Sequence, residues 1–554
     1  MSQRPDRSGV PRLAARWVPQ KTHQRPAWPE TAETSASLFE TERTLGFGGS
    51  DSTPRFGVAL SGGGNRSAAF SMGVLQALHE SGRLRAVDLI SAVSGGSYTL
   101  SWYLLQQFYA HHVAEGGAAP RRIDDELFDP DGRFQTYVEN HATVAGDKFD
   151  FVFNGGLSAV FDALPFNALR LLTGLDRGSR SVAVRNSSFA RQEYREGIQR
   201  AYQLLPGRDG KPLNDKTPWR VDVIGATQLL RLSLAQPPVT FPEMRDFARA
   251  AGLPAFVFNT TVRPPPPGSD EPIARRLFEL GVAGLGSDSC GYLSWDQTEG
   301  FGWEPGIDLK AGAVEWKGFL RSRDTSPFAT VRSFNNAPSV SGAALSGTNL
   351  ARKAARRGLW LMNYGLEYAV PDLSTPRKLL RLSDGGHCEN LGLYALLRRG
   401  CKEILVVDAE YDPGPKFDPG PRFPSYRCVK DAAARELGLT VSVPAIDEGS
   451  FSPSAPVCEG TVTSGRKTVG SIWYLKLSMD EAITADDSSV GEYAEGHPNF
   501  PQESTRDQYF ERAQFRAYRA LGRAIGRTIP AASKQLTLST AVREPGRRDR
   551  TTTT

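Results

Sequence analysis

The chain has 554 residues, long enough to bury a large core without covalent staples. Its five cysteines are odd in number, scattered and never in a CxxC pair, which argues against a disulfide framework and a zinc site. A net charge of +5, from 66 basic and 61 acidic residues, is too small to mark a nucleic-acid binder. No run of about 18 apolar residues occurs, and the first twenty residues lack an apolar h-region. The expectation is a cytoplasmic protein with neither a secretory signal nor a spanning helix.

In chain order, residues 1–53 are rich in Pro, Arg, Ser and Thr without periodicity and read as a flexible N-terminal arm. FGVAL (56–60) predicts a buried strand. It runs into SGGGNR (61–66) and then a helix with Phe70, Val74, Leu75 and Leu78 on one side. VDLISAV (87–93) predicts a second strand, followed by Ser94-Gly95-Gly96 and a second helix. Further strands are predicted at 221–226, 255–262, 378–383 and 403–409. Strands alternating with helices imply an α/β fold with a mostly parallel sheet. Residues 111–219 and 263–345 break the alternation and read as insertions near a substrate mouth, or equally as extra core layers. Arg506–Arg527 predicts an amphipathic helix with Ala513, Ala517, Leu521 and Ile525 on one face; packing on the core is favoured over lying on anionic lipid. The stretch Phe149–Leu172 is a second candidate for lipid contact. Residues 530–554 read as a flexible tail, leaving one catalytic domain over 54–529.

Three strand–helix junctions carry chemistry. Ser94 lies between a strand and a helix among small neighbours, Ala92, Gly95 and Gly96, the layout of a nucleophile elbow. The small residues are needed because the turn is sharp, and the N-terminus of the helix favours negative charge. Gly62, Gly63 and Gly64 can point several N–H groups into one concavity, suiting an oxyanion hole or a phosphate cradle. The spacing excludes a P-loop and a dinucleotide fingerprint. Arg66, just past the glycines, is placed to hold a phosphate oxygen, or is a surface arginine. Asp384 ends a strand and precedes Gly385 and Gly386. Each motif alone also fits a structural turn. In a parallel sheet, strand C-termini share one edge, so the three would face one crevice as nucleophile, oxyanion hole and base. Of the seven histidines only His387 has a strand-end context, and a Ser–Asp pair is the economical reading.

These residues resemble the patatin-like phospholipases, in detail their cytosolic-phospholipase branch. SGGGNRSAAFSMG (61–73) is similar to that branch's glycine loop, and DGGHCENLG (384–392) resembles the aspartate motif of bacterial members. LFEL…LGSDSCGY (277–292), SVSGAAL (339–345) and HPNFPQESTRDQYF…AQFRAYRALG (497–522) extend the likeness over about 55–525. Ala92 departs from the family's usual glycine. The resemblance implies a three-layer fold with a mostly parallel central sheet, helices on both faces and insertions. It implies a hydrolase of phospholipid or lysophospholipid esters with Ser94 as nucleophile and Asp384 as base. Gly62, Gly63 and Gly64 would form the oxyanion hole and Arg66 would hold the substrate phosphate, with Gly95, Gly96, Gly385 and Gly386 shaping the turns. No cofactor and no metal is implied, and calcium dependence does not carry over. The expected partner is the lipid, met by transient contact with a membrane surface. An acyltransferase or thioesterase using the same pair is the alternative, and a non-catalytic lipid-binding module a more distant one.

Overall fold

The computed structural model describes residues 33–47, 55–113, 119–142, 189–207, 239–262, 271–301, 329–343, 368–373, 379–413, 422–480, 487–505 and 508–530. The strand expected at 221–226, the stretch Phe149–Leu172 and the tail from 531 onward lie outside them.

Apolar five- and six-residue runs build the centre of the sheet. β1 (Phe56–Leu60), β2 (Leu89–Val93) and β9 (Glu403–Asp408) are buried along their whole length, as strands covered on both faces must be. With β3 (Ala255–Val262) and β12 (Lys467–Lys476) they form a parallel core in the order β12-β9-β1-β2-β3. Register sets the ends level: Leu60 of β1 pairs with Ala92 of β2 and with Val407 of β9. The loops that follow these strands therefore emerge side by side.

Antiparallel strands extend this core on both sides. β11 (Val457–Ser464) and β10 (Thr440–Ser442) continue from β12. β4 (Leu277–Gly281), β5 (Gly284–Ser287) and β6 (Gly291–Ser294) continue from β3. The result is an open, mixed α/β sheet, parallel at its centre as the alternation of strands and helices requires. β8 (Leu379–Asp384), joined by β7 (Tyr368–Pro371), departs from expectation. It runs antiparallel to β3 and not with the parallel core.

Two helices carry the glycine-rich junctions. α2 (Gly64–Glu80) is buried from Gly64 to Leu78, on the side facing the sheet and on the side facing its helical neighbour. α3 (Gly95–Val113) follows the elbow. The last described helix, α4 (Arg512–Arg527), packs on α2 with Phe515, Ala517, Tyr518, Leu521 and Ile525 buried. The approach is so close that a methyl group on Gly73 would strike the Arg519 carbonyl, and one on Gly522 the Phe70 carbonyl. Three of its arginines are closely paired: Arg519 with Glu139 at 2.6 Å, Arg523 and Arg527 with Glu80 at 2.7 and 2.9 Å. The apolar face of this helix is thus occupied by protein. Among the described residues no helix is long and apolar enough to cross a membrane.

The expected N-terminal arm is not featureless. Ser35–Thr44 forms a helix, α1, capped by Thr34. It is docked by Arg399, whose guanidinium reaches Glu42 at 2.7 Å and Glu279 of β4 at 2.9 Å. Sequence does not announce this contact because Arg399, the partner of Glu42, lies 357 residues along the chain. The described parts of the two irregular stretches join the core. Ile198 and Tyr202 are buried, and Trp295 stacks on Phe241 with ring centres 4.4 Å apart.

Candidate active site

Ser94 sits between β2 and α3 with φ of +47°, a left-handed backbone rare for a residue with a side chain. A turn of this kind is compatible with a nucleophile elbow, which thrusts its side chain out of a strained strand–helix junction. Its neighbour must lack a side chain: a methyl group on Gly95 would strike Gly64, at the start of α2. The strained turn is fixed by Ser341, from the short helix Ala337–Ser341. The Ser94 N–H donates to Ser341 Oγ at 2.9 Å, Ser97 Oγ donates to the same oxygen at 2.8 Å, and Ser341 Oγ donates to the Asn259 carbonyl at 2.7 Å. Ser341 was not singled out from sequence, although it lies in the SVSGAAL block; a lone serine has no signature until its partners are seen.

The topology of β3 brings in the carboxylate. β4 occupies one edge of β3, so β2 and β8 share the other, meeting end to end. Val93 pairs with Asn259 and Asp384 pairs with the next residue, Thr260. The end of an antiparallel strand is thereby delivered to the end of a parallel one. Ser94 Oγ donates to Asp384 Oδ2 at 2.7 Å. The other carboxylate oxygen, Oδ1, accepts the Gly386 N–H at 2.6 Å, and the Asp384 carbonyl accepts Thr261 Oγ1 at 2.8 Å. Gly385 lies so close to the Asn259 carbonyl that a side chain would clash.

Asp384 is buried, and desolvation pushes its carboxyl above the ordinary carboxylate range. The charge of His387, the Ser94 hydroxyl and the Gly386 N–H act in the opposite direction. A carboxylate held this way is a better proton acceptor than a free one while remaining aimed at the hydroxyl. His387 itself points to Ser383 Oγ, 3.2 Å away, and takes no place beside Ser94.

Gly63 and Gly64 have φ of +140° and +58°, the first closed to side chains and the second strongly favouring glycine. They lie at the start of α2, where N–H groups have no acceptor within the helix. Gly95, at the start of α3, adds another such group beside Ser94. The N-termini of α2 and α3 therefore converge on one point, and both favour negative charge there. Gly62 differs: its N–H is donated to the Asn390 carbonyl at 2.8 Å, so it shapes the loop and is not placed to bind an oxyanion. Gly96 is likewise engaged, with the Ser61 carbonyl at 3.1 Å.

Arg66 requires a correction. It was expected to face a substrate phosphate, but its side chain is buried. Nε and Nη2 donate to the Ala409 carbonyl at 3.2 and 2.9 Å, and Nη1 donates to the Glu503 carbonyl. Burial lowers its affinity for the proton. These bonds tie α2, just beyond the glycine loop, to the end of β9 and commit the guanidinium to the protein's own backbone. Among the described residues no cluster of three or more His, Cys, Asp or Glu side chains could hold a metal ion.

A family model described as patatin-like phospholipase matches residues 58–171, which begin in β1 and include the glycine loop and the elbow. No curated protein matches by sequence. Among solved structures, human GIVD cytosolic phospholipase A2 is similar with a TM-score of 0.50 at 13% identity, over 90% of this chain and 67% of that one. The same enzyme in complex with methyl gamma-linolenyl fluorophosphonate gives 0.49 at 12% identity, over 89% and 61%. VipD from Legionella pneumophila gives 0.21 at 13%, over 65% and 51%. The chain thus spans about two thirds of the length of the human enzyme, and at such identities the likeness is one of fold. Residues 58–171 thus match the patatin-like phospholipase model, and the chain shares the fold of human GIVD cytosolic phospholipase A2.

Proposed function

We propose that the protein hydrolyses fatty-acyl esters of phospholipids or lysophospholipids through an acyl-enzyme on Ser94. The observation that supports this most is the 2.7 Å hydrogen bond from Ser94 Oγ to a buried Asp384, beside the converging N-termini of α2 and α3. Asp384 takes the hydroxyl proton as Ser94 Oγ attacks the ester carbonyl. The oxyanion forms against the N–H groups of Gly63, Gly64 and Gly95. As the tetrahedral intermediate collapses, Asp384 returns the proton to the leaving alcohol oxygen, which departs as the deacylated lipid. Water then enters and gives its proton to Asp384 as its oxygen attacks the acyl-enzyme. Asp384 hands that proton to Ser94, and the fatty acid leaves. No resident metal or cofactor is needed for these steps. The substrate is met at a lipid–water surface, and the arginine expected to read its phosphate is not among the groups that would do so.

The test is fatty-acid release from phosphatidylcholine and lysophosphatidylcholine vesicles. Ser94→Ala and Asp384→Asn should each lower turnover by at least ~10³-fold while circular dichroism stays unchanged. Near-full activity in either folded variant would remove this mechanism. Transfer of the acyl group to an added alcohol in preference to water would redirect the reading to an acyltransferase.

A further inference from the structure

Asn390 lies six residues beyond Asp384, between the aspartate turn and the helix Leu393–Arg398. Its backbone carbonyl accepts the N–H of Gly62. Its side chain fills a space that two glycines leave open: a methyl group on Gly62 would collide with Asn390 Oδ1, and so would one on Gly386. These are the two halves of the candidate site. The Cβ position of Gly62 is also 3.3 Å from Ser94 Cβ, and that of Gly386 is 3.0 Å from Asp384 Oδ1. One amide oxygen thus separates the glycine loop from the carboxylate turn.

The amide is itself oriented. Asn390 Nδ2 donates to Glu410 Oε1 at 3.2 Å, and Ser425 Oγ donates to that same oxygen at 2.6 Å. Glu410 follows β9, at the edge where the β1 and β2 loops also emerge. We propose that Asn390 is a positioning residue that wedges the glycine loop against the aspartate turn, with Glu410 fixing its amide. This rests on the Ser94–Asp384 reading of the site. Truncating the side chain keeps the backbone bond to Gly62 but opens an amide-sized gap. The oxyanion donors and the carboxylate can then drift relative to each other. A displacement of about 1 Å in such a site costs up to ~10²-fold in rate.

The experiment compares Asn390→Ala, Gly62→Ala and the double variant by hydrolysis of a short-chain p-nitrophenyl ester and by the rate of fluorophosphonate labelling. Asn390→Ala should lower kcat and the labelling rate by about 10- to 100-fold, with KM within about twofold of wild type. Gly62→Ala should be more damaged, because its methyl strikes Asn390. The double variant should be no worse than Asn390→Ala, since the new methyl then has room. A wild-type kcat in Asn390→Ala, or losses that simply multiply in the double variant, would overturn the proposal.

Asn390→Asp keeps the shape and provides a check that does not depend on tolerance of the truncation. It sets a second carboxyl against Glu410, in a neighbourhood that holds Glu389, Asp408, Asp384, His387, Lys476 and Arg66. Its labelling rate should fall, relative to wild type, as pH rises and both carboxyls ionise. A pH profile identical to wild type would count against the wedge. Loss of labelling in Ser94→Ala reports on the dyad alone, so failure of that reading and failure of this one are separate results.

Discussion

Ser94 and Asp384 illustrate how much of a site single residues can hold. The carboxyl of Asp384 is raised by burial, and in the proposed mechanism its working form is the carboxylate. Activity should therefore fall with decreasing pH along a limb lying above the usual carboxylate pKa of about 4, as a profile of kcat/KM from pH 4 to 9 will report. The same shift acts on stability with a definite sign. A carboxyl whose pKa is raised by folding favours the fold when protonated and loses that contribution as pH rises through the raised value. Asp384→Asn mimics the protonated form, so at pH 8 it should melt above wild type while being inactive, with the gap closing in acid. Arg66 shows the opposite case, a residue whose type was legible and whose role was not. Its acceptors, the carbonyls of Ala409 and Glu503, lie hundreds of residues away, and no local pattern announces them. Arg66→Ala should cost about 3 kcal/mol in urea unfolding by stranding two carbonyls, and it should lower activity equally on a phospholipid and on a neutral ester. A selective loss on the phospholipid would restore the phosphate-binding role.

Elements were read most reliably where periodicity and burial coincide. β1, β2, β3, β8 and β9 stand within a residue or two of the runs that predicted them, and for β1, β2 and β9 the reason is that strands buried along their whole length are mostly apolar. Strand direction is not written in such runs. β8 was taken as a member of the parallel set, yet it enters antiparallel and meets β2 end to end on β3. That reversal places Asp384 one register position from Val93. The amphipathic pattern of α4 was equally legible, and the choice between lipid and protein as its cover is settled by glycine. Gly73 and Gly522 let α2 and α4 approach until backbone meets side-chain-free carbon. Gly522→Ala should therefore cost ~1–3 kcal/mol by overpacking, measured by chemical denaturation. Since α2 begins at Gly64, activity should fall as well. An alanine tolerated without loss of stability would contradict the close contact.

At the scale of the molecule, the aspartate turn lies 290 residues beyond the elbow and its neighbouring glycine loop, and one sheet edge unites the three. The domain is assembled across most of the chain, and even part of the expected arm belongs to it. Arg399 bonds both Glu42 of α1 and Glu279 of β4 in a buried setting. Arg399→Ala should cost about 3–5 kcal/mol by leaving the buried carboxylate of Glu279 without its partner, and by freeing Glu42 it should open residues 33–47 to limited proteolysis. The near-neutral total charge gives no strong field to draw the molecule to lipid, so the central claim rests on the chemistry at Ser94. A fluorophosphonate probe with peptide mapping tests it directly. Wild type should be labelled at Ser94, and folded Asp384→Asn should be labelled at least ~10²-fold more slowly. Labelling at another residue, or an undiminished rate in Asp384→Asn, would contradict the account.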